Sequence, residues 1–287
     1  MKTNIYYSTI TLFILIFFLS GCDKIDNPMK EGVSVWNGRK IVIYDFTGHR
    51  CGNCPNAHRL IDDLTKSYGE AIVPIAIHCN NLAELGTDLS KFQYDFRTEI
   101  GAYYGGGSSD GGFYELIGIP TGLVNNLSKT EVKSVGTWPE STAKFITTYP
   151  EYLIEIEPGF SPSDNDIFCN VTVTTNINNS RNLSLLVFLL EDNIITWQKD
   201  YNENFNNGNE DIQNYVHNHV LRSGFNGPWG DIIKDNNNET SVGDEYNKSY
   251  SLKASSNWEV DNCSIVAFVY DTDTKEVLQA EINHLNK

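Results

Sequence analysis

The chain has 287 residues, of which 40% are hydrophobic and 12% aromatic, so it carries enough apolar surface to fold and enough length for two domains of ordinary size. This composition excludes a disordered or fibrous protein. The chain has 21 Lys and Arg residues and 37 Asp and Glu residues, which gives a net charge of −16. A negative charge of this size excludes a protein whose main partner is nucleic acid, because nucleic-acid phosphates are bound by positively charged surfaces.

The first residues predict a targeting signal. Lys2 precedes a nearly unbroken apolar run over residues 10–19, and small residues follow that run. This order is typical of a secretory signal, and the run is short for a transmembrane helix. An uncleaved anchor helix is the alternative, and in either case the body of the protein lies outside the cytoplasm.

Residues 19–22 (LSGC) resemble the bacterial lipobox. The resemblance implies a lipoprotein signal peptide over residues 1–21, acylation of Cys22 and a polar tether over residues 22–36. Several acyl chains on Cys22 would hold the protein stably at a membrane, because each buried methylene contributes ~0.8 kcal/mol.

Two further cysteines stand where a predicted strand turns into a predicted helix. Residues 40–46 (KIVIYDF) predict a buried strand, and residues 55–68 carry apolar side chains at helical spacing up to Gly69. Cys51 and Cys54 therefore lie at a helix start, where unpaired amides and the helix dipole lower the pKa of a thiol. Cys51 is the predicted exposed nucleophile, and Cys54 is close enough to resolve a mixed disulfide with it.

This arrangement resembles thioredoxin-like domains. Asp45 stands six residues before Cys51, where that family has a buried carboxylate that exchanges protons with the second cysteine. Residues 118–121 (GIPT) resemble the cis-proline loop that faces the cysteines, and a cis peptide is cheap only before proline. The resemblance implies a thioredoxin-like domain over residues 37–151. Its implied catalytic residues are Cys51, Cys54, Asp45 and Pro120, and its implied substrate-binding residues are Ile119, Thr121 and Arg50.

Two features of this segment depart from the thioredoxin pattern. Arg50 replaces the Trp that precedes the motif in many thioredoxins, and we expect Arg50 and His49 to favour a thiolate. Residues 80–117 form an insertion with several glycines, which predicts either a surface excursion or a lid.

The second half predicts an all-β, immunoglobulin-like sandwich over residues 152–287, because short alternating segments recur between loops rich in Asn, Gly and Ser. The predicted strands are 153–157, 166–175, 182–191, 214–222, 246–253, 263–271 and 275–284. Alternation puts Cys169 and Cys263 on inward faces, which allows a Cys169–Cys263 disulfide without establishing it. His217 and His219 are predicted on an exposed strand face.

More narrowly, three segments resemble the twenty-eight-kilodalton outer-membrane lipoprotein family of Bacteroidetes. They are residues 44–55 (YDFTGHRCGNCP), 215–222 (YVHNHVLR) and 267–278 (AFVYDTDTKEVL), and the resemblance spans essentially the whole mature chain. It implies a lipid-anchored protein of the cell envelope, at the outer membrane, with no well-established substrate.

Two functions follow from these observations. The first is thiol-disulfide exchange on protein thiols or disulfides, which needs no cofactor beyond the dithiol itself. The second is a non-catalytic receptor or adhesin that uses the thioredoxin-like unit as a scaffold. The cysteine pair could instead be a structural disulfide, or bind zinc with His58 and either His78 or Cys79. Because Pro55 and the thioredoxin-like context argue against a closed zinc site, we expect no metal.

Overall fold

The computed structural model describes residues 38–88, 90–107, 111–235 and 238–285. The predicted signal peptide (1–21), the lipidation site Cys22 and the tether (22–36) lie outside these residues. Among the helices of the described ranges, none combines the length and the apolar character that crossing a bilayer requires.

The described residues form a mostly β structure with a mixed sheet and short helices. The helices are α1 (Cys54–Tyr68), α2 (Glu99–Gly105), α3 (Trp138–Ile146) and α4 (Glu203–Asn206). The first strands are β1 (Ile41–Thr47), β2 (Ile72–His78), β3 (Thr121–Val124), β4 (Lys133–Ser134), β5 (Tyr152–Ser161), β6 (Asp166–Thr175) and β7 (Leu183–Glu191). The later strands are β8 (Ile194–Lys199), β9 (Asp211–His217), β10 (Val220–Gly224), β11 (Asp231–Lys234), β12 (Glu245–Lys253), β13 (Cys263–Asp271) and β14 (Val277–His284).

Strands from both halves of the chain share one sheet. In the described part of the chain this sheet has nine strands, in the order β14-β13-β7-β10-β2-β1-β3-β4, with β11 paired to β7. β1 runs parallel to β2 and antiparallel to β3, and Val220 of β10 pairs with Ala76 of β2. This sheet therefore crosses the boundary at residue 151 that the sequence predicts between two domains. The described residues belong to one compact unit.

β1 is buried on both of its faces, and its two faces meet different halves of the chain. Ile41 and Ile43 pack with α1 and α3 around the buried Trp138. Tyr44, on the opposite face, packs with Phe188 of β7 and Phe268 of β13, with ring centroids 6.4 and 6.2 Å away. A continuous apolar core therefore joins the first half to the second.

A second core lies between the sheet of β12, β6 and β5 and the strands β7 and β13 of the large sheet. Cys169 and Cys263 both contribute to it, and their inward orientation is as the alternation predicts. Their disulfide is nevertheless absent, because both are free thiols. Strand alternation fixes the face of a residue but not its height along the strand, and the Cys263 Sγ instead lies 3.5 Å from the Glu259 carbonyl oxygen.

Two segments differ from their sequence predictions. The insertion 80–117 is not a surface excursion, since Ile100, Tyr104 and Tyr114 enter the core that joins the halves. The strand predicted over 214–222 is divided into β9 and β10, because His219 has a left-handed φ of 57° that interrupts extended backbone.

We predict that Leu190→Ala lowers the free energy of unfolding by about 2–5 kcal/mol, because Leu190 is fully buried in the core that joins the halves. Urea unfolding followed by circular dichroism and by tryptophan fluorescence measures this loss, and both signals should shift together. Leu153→Ala is the matched control, since Leu153 is 45% exposed, and should change the free energy of unfolding by only about 0.5 kcal/mol. Equal losses in the two variants would contradict the prediction.

Candidate functional site: a disulfide at a helix start

Cys51 and Cys54 form a disulfide at the N-terminal end of α1. A turn places Cys51, whose backbone N–H donates to the Gly48 carbonyl at 3.0 Å. The first turn of α1 contains no acidic residue, so no carboxylate on that turn counteracts the effect of the helix dipole on the pKa of the thiol. This position favours a thiolate at Cys51 when the disulfide is reduced.

The loop before β3 lies against the disulfide. The Sγ atom of Cys51 is 3.7 Å from the carbonyl oxygen of Ile119, and the Ile119–Pro120 peptide bond is cis. Thr121 begins β3, and its hydroxyl donates to the Gly118 carbonyl at 3.1 Å. The fold thus brings Cys51, Ile119 and Pro120 together from segments that are almost 70 residues apart in the sequence.

The structure corrects the expectation that Cys51 is exposed, because its exposed fraction is only 4%. Residues 198–205, which we call the covering segment, lie along the motif. The backbone N–H of Tyr201 donates to the Gly52 carbonyl at 2.8 Å, and Gln198 Nε2 donates to the Cys51 carbonyl at 3.1 Å. The Tyr201 ring is so close to Gly52 that an added Cβ would fall 2.4 Å from it.

The covering segment is also fixed to α1. Arg59 donates to the Asp200 carboxylate at 2.8 Å, and its guanidinium lies 4.3 Å from the centroid of the Phe205 ring. Asn202 donates to the side-chain oxygen of Asn56 at 3.2 Å. The second half of the chain therefore covers the motif through backbone, ionic and aromatic contacts.

The two basic residues before the motif do not both act as the sequence suggests. His49 is fully buried, and burial lowers its pKa to about 4, so it carries no positive charge at neutral pH. Its Nε2–H donates to the Glu84 carbonyl at 2.8 Å. Arg50 donates to the carbonyls of Asn81 and Leu85, which attaches its guanidinium to the neighbouring loop. The prediction that His49 favours a thiolate by its charge is therefore wrong.

Asp45 is a fully buried carboxyl on the α1 face of β1. Because side chains alternate along a strand, Asp45 lies on the same face of β1 as Ile41 and Ile43, which contact α1. Neither of its carboxyl oxygens has a hydrogen-bond partner among the described residues. Burial raises the pKa of Asp45 to about 8, close to that of an ordinary thiol. A carboxyl with this pKa can take a proton from a thiol and return it near neutral pH.

A cavity of about 60 Å³ adjoins Asp45. Its lining includes His58 of α1, His78 of β2 and Tyr215 and His217 of β9. His217 has an exposed fraction of 2%, which corrects its predicted place on an exposed strand face, because β9 packs against β2 and α1 at this point. In the described ranges no three His, Cys, Asp or Glu side chains are arranged to hold a metal ion.

A larger cleft of about 1030 Å³ lies between the insertion and the second half of the chain. Aromatic, charged and amide side chains line it together. They include Tyr94, Arg97, Tyr103, Arg222, Asn257 and Trp258. The cleft is large enough for a small ligand or a short chain segment.

Sequence reasoning missed the covering segment, the cavity and the cleft, because each depends on strands that meet only in the fold. β8 was not predicted, and the Asn-rich stretch after it indicates only a loop. The one usable signal was the spacing of Tyr215 and His217, which two-residue alternation puts on the same face of a strand.

The fold and the site define a mostly β protein with a mixed sheet and a covered disulfide at a helix start. The model of the family "Outer membrane protein Omp28" matches residues 111–287, and the chain belongs to this family. The match does not include residues 1–110 and therefore leaves out the cysteine motif, so the resemblance predicted over the mature chain is found in its later part.

The chain is also similar to a solved structure, a domain of the outer membrane lipoprotein Omp28 from Porphyromonas gingivalis. The identity is 24%, the similarity covers 48% of this chain and 89% of that chain, and the TM-score is 0.29. No curated protein matches this chain.

We predict that Gly52→Ala lowers the free energy of unfolding by about 1–3 kcal/mol, because its Cβ would overlap the Tyr201 ring. Adding Tyr201→Ala should remove most of this loss, and a double-mutant cycle by urea denaturation measures the coupling. Gly136→Ala is the control, since its Cβ would meet no atom within 4 Å. Additive effects of Gly52→Ala and Tyr201→Ala would contradict the contact.

We predict that Asp45→Asn stabilises the protein increasingly as the pH rises. The pKa of Asp45 is raised from 3.8 to about 8, so its contribution to stability is present below pH 3.8 and is lost as the pH rises to about 8. The variant should match wild type near pH 4 and exceed it by about 5 kcal/mol at pH 8. Urea unfolding at a series of pH values tests this, with Asp63→Asn as the control, because Asp63 is an exposed residue of α1 that does not line the cavity beside Asp45. A difference that does not change with pH would refute the buried ionisation.

Proposed function

We propose that this protein is a lipid-anchored member of the Omp28 family at the outer membrane and that it exchanges disulfides with protein substrates. Its family supports the location. The proposed anchor is the acylated Cys22, and the proposed partners are the membrane and protein thiols or disulfides. The observation that carries the exchange activity is the Cys51–Cys54 disulfide at the start of α1, with the Cys51 Sγ 3.7 Å from the Ile119 carbonyl.

The supporting framework is a thioredoxin-like unit over residues 37–151. β1 pairs with β2 in parallel and with β3 in antiparallel register, and α1 follows the cysteine motif. We propose an immunoglobulin-like arrangement for residues 152–287, supported by the two sheets that enclose the second core. These two units would act together, since the large sheet joins them.

In the proposed reaction, the Cys51 thiolate attacks a substrate disulfide and forms a mixed disulfide, and one substrate sulfur leaves as a thiolate. Cys54 then gives its proton to Asp45 and attacks the Cys51 Sγ, which releases the second substrate sulfur. Two electrons pass from the Cys51–Cys54 dithiol to the substrate disulfide. The same steps in reverse oxidise a substrate dithiol.

The proposed substrate site is the Ile119–Pro120 loop beside Cys51. There the Ile119 backbone would pair with an extended peptide, with Thr121 and Arg50 at its borders. Because Cys51 is 4% exposed, the covering segment must move away from Gly52 when a folded substrate docks. Reactivity is thus expected to depend on how easily that segment shifts.

The second candidate function is ligand binding by a receptor or adhesin. The cleft of about 1030 Å³ favours it, since aromatic faces and hydrogen-bonding side chains converge there without any need for the disulfide. Binding in this cleft would survive Cys51→Ser, whereas exchange would not, so the same variant separates the two functions.

We predict that the soluble body, residues 23–287, reduces insulin in the presence of dithiothreitol and that Cys51→Ser abolishes this activity. Cys54→Ser should form a lasting mixed disulfide with substrate, because the resolving thiol is missing. Insulin turbidity and non-reducing electrophoresis measure the two effects, and Cys79→Ser is the matched control because Cys79 is a free, buried thiol. Equal inactivity of wild type and both variants, together with a disulfide that resists reduction, would exclude the exchange function.

A further inference from the structure

We propose that His58 and Tyr215 form a proton relay that connects the buried Asp45 carboxyl to solvent. This inference rests on the proposed exchange function, because it supplies the route by which the proton that Cys54 and Asp45 exchange in the proposed reaction enters and leaves the protein. The geometry that carries it is a chain of side chains from β1, α1 and β9 around one small polar cavity.

Asp45 has no direct contact with bulk solvent, because its exposed fraction is 0%. The nearest basic atom that the structure gives it is the His58 Nε2, which lies 3.4 Å from its Oδ2. The same nitrogen is 2.9 Å from the Thr47 hydroxyl, and the other ring nitrogen, Nδ1, is 2.7 Å from the Tyr215 hydroxyl. Both nitrogens of His58 therefore have a partner, so the ring can accept a proton on one side and release one on the other.

His58 also reaches the surface. Its side chain is 19% exposed, whereas that of Asp45 is 1% exposed. Burial lowers the pKa of His58 to about 4, so the ring does not retain a proton that it receives and passes it on. A histidine with this pKa transmits protons without adding a lasting charge beside the disulfide.

The cavity can hold water next to Asp45 and His58. Its volume of about 60 Å³ exceeds what one water requires, and its lining is polar. Both oxygens of Asp45 and both nitrogens of His78 are buried without a hydrogen-bond partner among the described residues, which is the setting that ordered water satisfies. Such water would complete the path wherever the 3.4 Å separation is too long for direct transfer.

The groups that could influence the titration come from several elements. They are Arg59 and Asp62 of α1, His78 of β2, Cys79 after β2, Asp200 of the covering segment, Tyr215 and His217 of β9, and His219 before β10. Within this set, Arg59 is paired with Asp200 in a salt bridge. The relay residues themselves are uncharged between transfers.

The relay has a defined place in reduction of the disulfide by dithiothreitol. A dithiothreitol thiolate attacks the Cys51 Sγ, the Cys51–Cys54 bond breaks, and Cys54 leaves with the electron pair and takes the proton of Asp45. The Asp45 carboxylate then regains a proton from solvent through Tyr215 and His58. The second dithiothreitol thiol displaces Cys51, so the protein gains two electrons and dithiothreitol becomes a cyclic disulfide.

The test is the rate at which dithiothreitol reduces the Cys51–Cys54 disulfide in the soluble body, followed by quenched alkylation and mass spectrometry from pH 6 to pH 9. We expect His58→Ala to slow reduction about 10- to 100-fold near pH 7 and to change the pH profile. Millimolar imidazole should restore part of the rate, because it can occupy the space left by the ring. Tyr215→Phe, which keeps the ring and loses only the hydroxyl, should slow reduction several-fold.

His284→Gln is the matched control, since His284 of β14 does not line the cavity, and it should leave the rate unchanged. The relay is overturned if dithiothreitol reduces the disulfide of His58→Ala at the wild-type rate. It is also overturned if His58→Ala is reduced slowly but keeps the wild-type pH profile and is not accelerated by imidazole. A wild-type protein that dithiothreitol reduces in a His58-dependent way but that exchanges with no protein substrate would retain the relay and refute the proposed function. A native disulfide that dithiothreitol cannot reduce would overturn both.

Discussion

Burial of β1 on both of its faces is the constraint on which the structure depends. One face presents Ile41 and Ile43 to α1 and α3, and the other presents Tyr44 to Phe188 and Phe268 from the second half. Because alternate residues of one strand serve two cores, the second half of the chain completes only the core that contains Tyr44, whereas the core on the α1 face is built from the first half. The same alternation puts Asp45 on the α1 face, where it is buried without a charged partner.

That burial gives the site its electrostatic character. A carboxyl that is desolvated on a fully covered strand holds its proton up to about pH 8, whereas the desolvated His58 beside it loses its proton above about pH 4. The two shifts have opposite directions and one cause, since burial disfavours whichever form is charged. The result is an uncharged acid and an uncharged base in contact, which is suited to moving protons at neutral pH.

The second half of the chain is more than an attached module. It supplies the covering segment that lies on Gly52, the Tyr215 hydroxyl beside His58, and the strands that join the large sheet. The matched family region contains all of these elements but not Cys51 and Cys54. The part of the chain that the family model matches therefore covers a motif that lies outside the matched residues.

The sequence alone determined the local features. The β-branched run before the motif, the helical spacing after it and the two-residue alternation of the later strands fix β1, α1 and most of the β segments, because these patterns depend only on neighbours along the chain. The position of the cysteines at a helix start and the inward face of Cys169 and Cys263 follow in the same way.

Only the tertiary structure decided which of those elements meet. Spacing could not show that Cys169 and Cys263 stay unpaired, that residues 198–205 cover Cys51, or that His217 turns inward beside Asp45, since each depends on contacts between strands distant in sequence. Exposure and pKa are properties of the assembled core. The sequence determines which thiol, carboxyl and imidazole groups the site contains. The packing of β9 and the covering segment against the first half determines how buried those groups are.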